Sequence, residues 1–203
     1  MDARVWDERY ASSELVWGAP PNAVVVEQVT ALEGGRALDL GCGEGRNALW
    51  LASRGWEVDA LDFSQVGIDK GRTVGSKLAR SVRTRINWLR CDVTRLESAP
   101  VRGPFDLILM VFLQLKASER RTVVQAAAHR LAPGGTLLVL GHDSTNLTAG
   151  HGGPSDPEVL FTPDDIVADL GGELDIAIAE RRRRPTAAGD AIDALVAARS
   201  PAR

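Results

Sequence analysis

Short apolar runs recur along this chain, and a helical pattern follows each of them. The runs are bounded by Gly, Pro or Asp and lack the alternation of a strand with one solvated face. They cover residues 36–40, 57–61, 86–91, 105–111 and 135–141. Strands that are buried on both faces belong in a parallel sheet, because crossover helices then cover each face. The pattern predicts a doubly wound α/β sheet with ligands at the carboxyl ends of its strands.

Sequence patterns typical of helices lie between these apolar runs. The predicted helices span residues 47–54, 64–81, 118–131 and 163–170. Gly67, Gly71 and Gly75 lie four residues apart in the second of them, so they share one helix face. We interpret that face as one that packs closely against a neighbour. Residues 142–161 are predicted to form one long polar loop.

Two further strands are predicted near residues 174–180 and 191–198. The connection between them includes Arg181 to Arg184 and is too short for a crossover helix. An antiparallel hairpin at one edge of the sheet is therefore expected. The predicted fold class is α/β: a single-domain, Rossmann-like, doubly wound sheet of seven strands, mostly parallel with an antiparallel C-terminal hairpin strand.

Composition limits the architecture and the partners. No linker interrupts residues 1–203, so we expect one domain, with 1–35 as a helical cover and 36–203 as the core. The formal net charge of -3 repels phosphate backbones as a whole. Nucleic acid is therefore not the expected partner, and we interpret the four arginines at 181–184 as a charged strand edge that resists aggregation.

The apolar runs and the first residues indicate the cellular compartment. The runs are far shorter than the ~20 residues of a membrane span, and the start MDARVWDERY lacks the layout of a signal peptide. A cytoplasmic protein with no membrane partner is expected. Both cysteines, Cys42 and Cys91, are expected to be reduced thiols.

A glycine-rich turn, DLGCGEGR at residues 39–46, follows the first predicted strand. Arg46 stands where a dinucleotide fingerprint has its third glycine. Asp39 and Glu44 flank the turn, so a pyrophosphate would be placed against two carboxylates. The turn favours a cofactor that has a cationic centre and no phosphate.

The stretch from Asp39 to Gly45 resembles the acid-x-G-x-G-x-G signature of class I S-adenosylmethionine-dependent methyltransferases. The resemblance implies that Asp39 orients the cofactor's amino group, that Asp62 accepts hydrogen bonds from the ribose hydroxyls, and that Asp92 meets the adenine amino group. S-adenosylhomocysteine is then the product. The cofactor-binding residues that it implies are Asp39, Gly41, Cys42, Gly43, Asn47, Asp62, Phe63, Ser64, Asp92, Val93, Met110 and Trp17.

The N-terminal sequence WDERY at 6–10, the stretch 14–18 and the L-x-P-G-G turn at 131–135 resemble the small tellurite-resistance and thiopurine-type branch. In such proteins the N-terminal segment covers the cofactor. Trp6, Tyr10 and Trp17 are accordingly lid residues or helix-packing residues. The D/N-P-P-Y/F motif of amino-group methylation is absent after the fourth strand, where VFLQ stands instead.

His142 and Asp143 end the fifth predicted strand, and His151 follows in the long loop. A histidine beside a carboxylate can take the proton of a hydroxyl acceptor. The three residues could instead bind a divalent metal such as Mg²⁺, or only cap the turn and face solvent. We expect methyl transfer to a heteroatom of a small polar molecule, preferably a hydroxyl oxygen, with His142 as the base and Asp143 beside it.

The sequence is also compatible with other functions. A thiol or chalcogen acceptor arrives already nucleophilic and needs no base. A non-catalytic sensor or partner protein would bind S-adenosylmethionine without releasing S-adenosylhomocysteine. An RNA-modifying enzyme is supported by the arginine run alone. The sequence is compatible with a monomer or a homodimer.

Overall fold

The computed structural model describes residues 3–16, Gly18 and residues 20–202. Within these ranges the strands form one seven-stranded sheet in the order β3-β2-β1-β4-β5-β7-β6. The strands are β1 (Arg36–Leu40), β2 (Glu57–Asp62), β3 (Ile86–Arg90), β4 (Phe105–Val111), β5 (Leu131–His142), β6 (Asp175–Thr186) and β7 (Gly189–Arg199). β2 pairs in parallel with β1 and β3, and β7 pairs antiparallel with β5 and β6. The predicted fold class is confirmed.

Helices alternate with the strands as the sequence pattern predicts. They are α1 (Ala3–Ala11), α2 (Ala23–Val29), α3 (Arg46–Ser53), α4 (Gln65–Ser76), α5 (Arg80–Arg83), α6 (Ala117–Ala128), α7 (Asn146–Ala149) and α8 (Pro163–Leu170). Two short 3₁₀ helices span Val93–Ser98 and Pro157–Val159. None of the helices in the described ranges is long and apolar enough to cross a membrane.

The chain divides into two compact units, residues 1–107 and 108–203. The first contains the glycine-rich turn with β1 to β3 and the helices around them. The second contains β5 to β7 with α6 to α8. The expectation of a single domain over residues 1–203 stays a prediction.

In the first unit, the glycine face of α4 packs closely, as expected. A Cβ atom at Gly67 would lie 3.2 Å from Tyr10, and one at Gly75 would lie 3.0 Å from Leu49. A Cβ at Gly71 would lie 2.6 Å from the Trp88 ring. Ser64 caps α4 by accepting a hydrogen bond from the Gly67 N–H. The helix ends at Ser76, before the predicted end at residue 81, and α5 begins as a separate turn at Arg80.

In the second unit, several boundaries differ from the predicted ones. α6 begins after Lys116 rather than at Ser118, because Glu119 closes a capping box with the Lys116 backbone. β5 begins at Leu131 and includes the Pro-Gly-Gly stretch, since Gly134 and Gly135 exchange backbone hydrogen bonds with Ser200. The long loop at 142–161 is also structured: it holds α7 and a 3₁₀ turn.

The C-terminal hairpin corrects the sequence analysis most clearly. β6 continues through Arg181 to Arg184 as far as Thr186, so the arginine run lies inside a strand and not in the connection. β6 is the last strand in the sheet and is mostly exposed, which allows charged side chains along it. The predicted charged edge is thus present, but the hairpin turn is at residues 187–188.

Candidate active site

The glycine-rich turn begins where β1 ends. Gly41, Gly43 and Gly45 have φ values of 72°, 55° and 75°, a region that favours glycine. The N–H groups of Gly41 and Cys42 both donate to the Leu61 carbonyl, at 2.8 and 2.9 Å, which folds the turn back onto β2. The backbone conformation therefore explains the three glycines of the signature.

Asp39 lies on β1 directly before this turn and is buried. Its Oδ2 is buried and has no hydrogen-bond partner among the residues that the structure describes. Burial, and then the negative charge of Asp62, raise the pKa of Asp39 to about 7, although Arg46 opposes this. An unpaired buried carboxyl oxygen is costly on its own. The cationic amino group of S-adenosylmethionine would supply the missing partner, so this residue fits the predicted cofactor.

Asp62 ends β2 and binds the glycine turn. Its Oδ2 accepts from the Gly43 N–H at 2.8 Å, and its Oδ1 accepts from the Ser64 N–H at 2.8 Å. Burial raises its pKa above the ordinary value, while these two hydrogen bonds counteract the effect. Each carboxylate oxygen can accept a second hydrogen bond. Asp62 could therefore hold the turn and still accept from the two ribose hydroxyls.

Asn47 and Ser64 are bound to the N-terminal part of the chain. Asn47 Oδ1 accepts from the Asn22 N–H at 3.0 Å, at the start of α2. The Ser64 hydroxyl donates to Asp7 of α1. Both predicted cofactor residues thus hold local structure, and sequence reasoning gave no signal for these contacts because their partners lie 25 and 57 residues away.

The remaining predicted cofactor residues differ in burial and in location. Phe63 is half-buried after β2, and Val93 is buried. Asp92 is exposed and caps the 3₁₀ helix by accepting from the Thr94 N–H and hydroxyl. Met110 is buried on β4, in the second unit. Trp17 lies outside the described residues.

Cys42 is a buried free thiol. Burial, and then the negative charges of Asp62 and Asp39, raise its pKa well above the ordinary value. Cys91 is also free, and burial followed by the charge of Asp92 raises its pKa. Because the thiolate is the reactive form, neither cysteine is suited to nucleophilic chemistry.

The N-terminal segment contacts the turn through Glu44, a role that the sequence analysis did not anticipate. Both Glu44 carboxylate oxygens accept from the Val16 N–H, at 3.1 and 3.0 Å. Lys70 of α4 donates to the carbonyls of Tyr10 and Ser13. Tyr10 is buried against Gly43 of the glycine-rich turn and Gly67 of α4. Of the two predicted roles, lid residue or helix-packing residue, these contacts fit the packing role. Trp6 lies 5.7 Å from Tyr10 between ring centroids.

His142 ends β5 in the second unit, and the carboxylate beside it is Asp193, not Asp143. The two residues are direct partners in the antiparallel pair of β5 and β7. His142 Nδ1 lies 3.3 Å from Asp193 Oδ1, without a well-formed hydrogen bond between the two atoms. Sequence reasoning missed Asp193 because it lies 51 residues further along and only strand register brings it here.

Asp143 is fully buried and serves local structure. Its Oδ1 accepts from the N–H and hydroxyl of Thr145, and its Oδ2 accepts from Arg181 at 2.9 Å. Asp143 is thus engaged by Thr145 and Arg181. The predicted catalytic role of His142 and Asp143 stays a prediction.

The candidate metal ligands are not brought together. The described parts of the chain contain no group of three or more His, Cys, Asp and Glu side chains arranged to hold a metal ion. Asp143 is engaged by Arg181 and Thr145, and His151 is exposed beside Gly189. Since ligands of one ion must converge, His142, Asp143 and His151 do not form a metal site here.

The His142 ring is enclosed on several sides. Phe112 contacts it with ring centroids 4.8 Å apart, and a Cβ at Gly153 would lie 2.9 Å from Nδ1. Nδ1 is buried, whereas Nε2 makes no hydrogen bond within the described ranges and is not a fully buried atom. Nε2 is thus the nitrogen that a ligand could reach.

Asp193 also binds Arg184 of β6. Arg184 Nε and Nη2 donate to its two oxygens at 2.6 and 3.2 Å. Burial raises the pKa of Asp193, but the His142 and Arg184 contacts outweigh it, and the pKa lies below its ordinary value. Asp193 is therefore an ionised carboxylate held between a histidine and an arginine.

Comparison with known proteins decides the family. Residues 37–135 match the model of a methyltransferase domain. These residues are a methyltransferase domain. The matched residues include the glycine-rich turn, Asp39 and Asp62. The predicted resemblance to methyltransferases is confirmed for these residues.

Relatives and solved structures agree with this assignment. The methyltransferase domain is similar to the ubiquinone biosynthesis O-methyltransferase of Xylella fastidiosa strain 9a5c, with 31% identity over 134 residues, 66% of this chain and 52% of that protein. The first curated relatives are matched over only 38% to 52% of their length, so the chain spans about half of them or less.

Two solved structures share the fold. TehB from Haemophilus influenzae has a TM-score of 0.71 and 19% identity, over 89% of this chain and 62% of that one. The N-methyltransferase NodS from Bradyrhizobium japonicum, solved with S-adenosyl-L-homocysteine, has a TM-score of 0.71 and 18% identity, over 98% of each chain. At these identities the likeness shows the fold alone, and the tellurite-resistance branch stays a prediction for this methyltransferase domain.

Proposed function

We propose that this methyltransferase transfers a methyl group to a hydroxyl oxygen of a small polar molecule, with His142 as the general base. The observation that carries the proposal is the environment of the imidazole. Nδ1 faces the ionised Asp193, and Nε2 is accessible without a hydrogen bond in the described part of the chain. A histidine held in this way is suited to taking a proton at Nε2.

The first unit supplies the groups that would hold the cofactor. Asp39 would pair with the amino group through its unpartnered Oδ2, and Asp62 would accept from the ribose hydroxyls. When bound, S-adenosylmethionine supplies a methyl group on a sulfonium sulfur. Gly41 would leave space beside the backbone because it has no side chain.

His142 is the group that would prepare the acceptor. His142 Nε2 would accept the hydroxyl proton, and Asp193 would stabilise the resulting imidazolium across 3.3 Å. In sheets of this class ligands bind outside the carboxyl ends of the strands, and His142 is the last residue of β5. The name of the Xylella relative, an O-methyltransferase, supports an oxygen acceptor.

The test is an assay for S-adenosylhomocysteine release with panels of hydroxyl, thiol and amine acceptors. We expect turnover with hydroxyl acceptors, and His142→Ala should lower it by about 10²- to 10⁴-fold. His129→Ala is the matched control, because His129 is exposed and paired with Glu173 at the end of α6. Each assay is run with added Mg²⁺ and with chelator, and equal rates are expected.

Other outcomes would identify the rival functions. Turnover of thiols or chalcogen oxyanions alone, unaffected by His142→Ala, would replace the proposal with a methyltransferase that needs no base. Cofactor binding by calorimetry without product from any acceptor would indicate a sensor or partner protein. A rate that disappears with chelator would overturn the metal-free proposal.

A further inference from the structure

We propose that Asp193 is a positioning residue for His142, which keeps the imidazole proton on Nδ1 and the lone pair on Nε2. The inference deepens the proposed function and rests on it, because the location of this proton matters for catalysis only if Nε2 acts as a base. It concerns a residue of β7 that carries no sequence signal of its own. The strand register, the contacts of Asp193, the position of Phe112 and the charges around Nδ1 support it.

The register of three strands brings the participating residues together. Asp193 is the direct partner of His142 on β5 and of Arg182 on β6. Arg184 is two residues beyond Arg182 and shares its face, so it reaches Asp193 diagonally. A shift by one residue in the β5–β7 pairing would turn His142 away from Asp193, to the opposite face of the sheet. The same shift in the β6–β7 pairing would turn Arg184 away. The arrangement is therefore set by the sheet and not by flexible loops.

Asp193 itself is rigidly held. Its carboxylate is buried, and Arg184 donates to both oxygens in a bidentate pair. The Arg184 guanidinium also lies 5.2 Å from the centroid of the Phe112 ring, and that ring contacts His142. Four side chains thus form a closed group in which each touches two others. Such a carboxylate has little freedom to turn away from Nδ1.

Phe112 contributes backbone strain at this position. It has a φ of 54°, and it is the one non-glycine residue with positive φ in the described ranges. A bulky residue is rarely found in this conformation, which tends to occur at functional sites. Its N–H donates to the Leu140 carbonyl at 2.7 Å, which fixes the ring against His142. The Phe112 ring therefore has a defined position against the imidazole of His142.

The charges decide the tautomer. Nδ1 is buried and lies 3.3 Å from the Asp193 carboxylate. With the proton on Nε2, the Nδ1 lone pair would face a negative charge without a proton between them. With the proton on Nδ1, that repulsion becomes an attraction. The second charged group, Arg184, donates to both carboxylate oxygens and offers Nδ1 no acceptor, because a guanidinium has only donors.

Histidine side-chain ¹⁵N NMR of the cofactor-free protein tests the inference without any methyl transfer. At about pH 8.5, roughly two units above the ordinary histidine pKa, neutral imidazoles report their tautomer. We expect wild-type His142 to be protonated on Nδ1. In Asp193→Asn, Arg184 holds the amide oxygen, so the NH₂ group faces Nδ1 and the proton should move to Nε2.

Asp190→Asn is the matched control, because Asp190 is a partly exposed carboxylate of the same strand that pairs with Arg183. Its His142 signals should match those of the wild type. His129 and His151 serve as internal references, and His142→Ala assigns the signals. A wild-type His142 protonated on Nε2 would overturn the inference, whether or not Asp193→Asn folds. So would an unchanged Nδ1–H tautomer in a folded Asp193→Asn protein.

Kinetics separate this inference from the proposed function. If both hold, Asp193→Asn lowers kcat for a hydroxyl acceptor by about 10²-fold or more and leaves KM nearly unchanged. If the tautomers behave as expected but no hydroxyl acceptor is turned over, the proposed function fails while the positioning of His142 stands. If turnover needs His142 but the tautomer is independent of Asp193, the positioning inference fails alone.

Discussion

The phenol oxygen of Tyr10 occupies the position that a side chain at Gly43 would need. A Cβ atom built on Gly43 would lie 2.5 Å from this oxygen. Gly43 also has a φ of 55° and donates its N–H to Asp62 at 2.8 Å. The central glycine of the signature is therefore required by its own backbone, by the N-terminal helix and by the acid at the end of β2.

Gly43→Ala is expected to destabilise the protein by more than the positive φ alone would cause. The left-handed conformation costs about 1–2 kcal/mol for an alanine, and the clash with Tyr10 adds to it. Urea unfolding measures the loss. Gly134→Ala is the matched control, because Gly134 has a φ of 76° and open space beside it. Equal losses in the two variants would contradict a role for the Tyr10 contact.

Asp39→Asn is expected to stabilise the cofactor-free protein above about pH 7. The pKa of Asp39 is about 7 in the folded chain against an ordinary value of 3.8, so the folded state keeps a proton that the unfolded state releases. Stability of the wild type therefore falls as the pH rises from about 4 to about 7. The variant lacks this contribution, and its advantage should grow over that window and vanish below pH 4.

Thermal unfolding of both proteins across this pH range measures the effect. Asp92→Asn, which changes an exposed carboxylate, is the control for the removal of one negative charge. The same Asp39→Asn protein should bind S-adenosylmethionine more weakly by calorimetry, because the amino group loses its charged partner. A wild-type curve and an Asp39→Asn curve of equal slope would show that Asp39 titrates normally.

Lys70→Met is expected to loosen the N-terminal segment. The Lys70 ammonium donates to the carbonyls of Tyr10 and Ser13 and lies 3.5 Å from Glu44 Oε1. Without it, amides in residues 3–16 should exchange hydrogen faster, while those of β2 should be unaffected. Lys77→Met, at the exposed end of the same helix, is the control. Unchanged exchange in Lys70→Met would mean that the remaining contacts hold the segment.

Asp169→Ala is expected to cost about 3–5 kcal/mol, because it leaves a buried arginine without its partner. Arg120 Nε donates to Asp169 Oδ2 at 2.8 Å, and both side chains are buried. Arg121 donates to the second oxygen at 3.0 Å. The urea midpoint measures the loss, and Glu158→Ala, which removes an exposed ion pair with Lys116, should leave the midpoint nearly unchanged. Similar midpoints for the two variants would contradict the expected importance of burial.

The local elements could be predicted from the sequence because their signals are contained in a few neighbouring residues. β1 and β4 have the predicted bounds, and the α4 glycines pack as one face. The longer elements were less accurate. The arginine run looked like a connection because four charges rarely fit a strand, but an edge strand with two solvated faces accepts them.

In the candidate site too, features set by neighbouring residues were easier to predict than contacts between distant residues. Asp39 and the three glycines are adjacent in sequence, and backbone conformation alone places them at one turn. Asp143 was expected beside His142 because it follows it in the chain, whereas its side chain is engaged by Thr145 and Arg181. Glu44 was interpreted only as a charge near the cofactor, whereas it binds the backbone of Val16.

The sequence by itself determined the order of strands and helices, the glycine turn and the class of methyl donor, since these depend on short-range spacing and residue chemistry. Only the tertiary structure decided which carboxylate accompanies His142. Asp193 reaches it because β7 pairs with β5 in one register and with β6 in another, and Arg184 then holds the carboxylate in place. Registers between distant strands are set by the packing of the whole sheet, which no local pattern in the chain records.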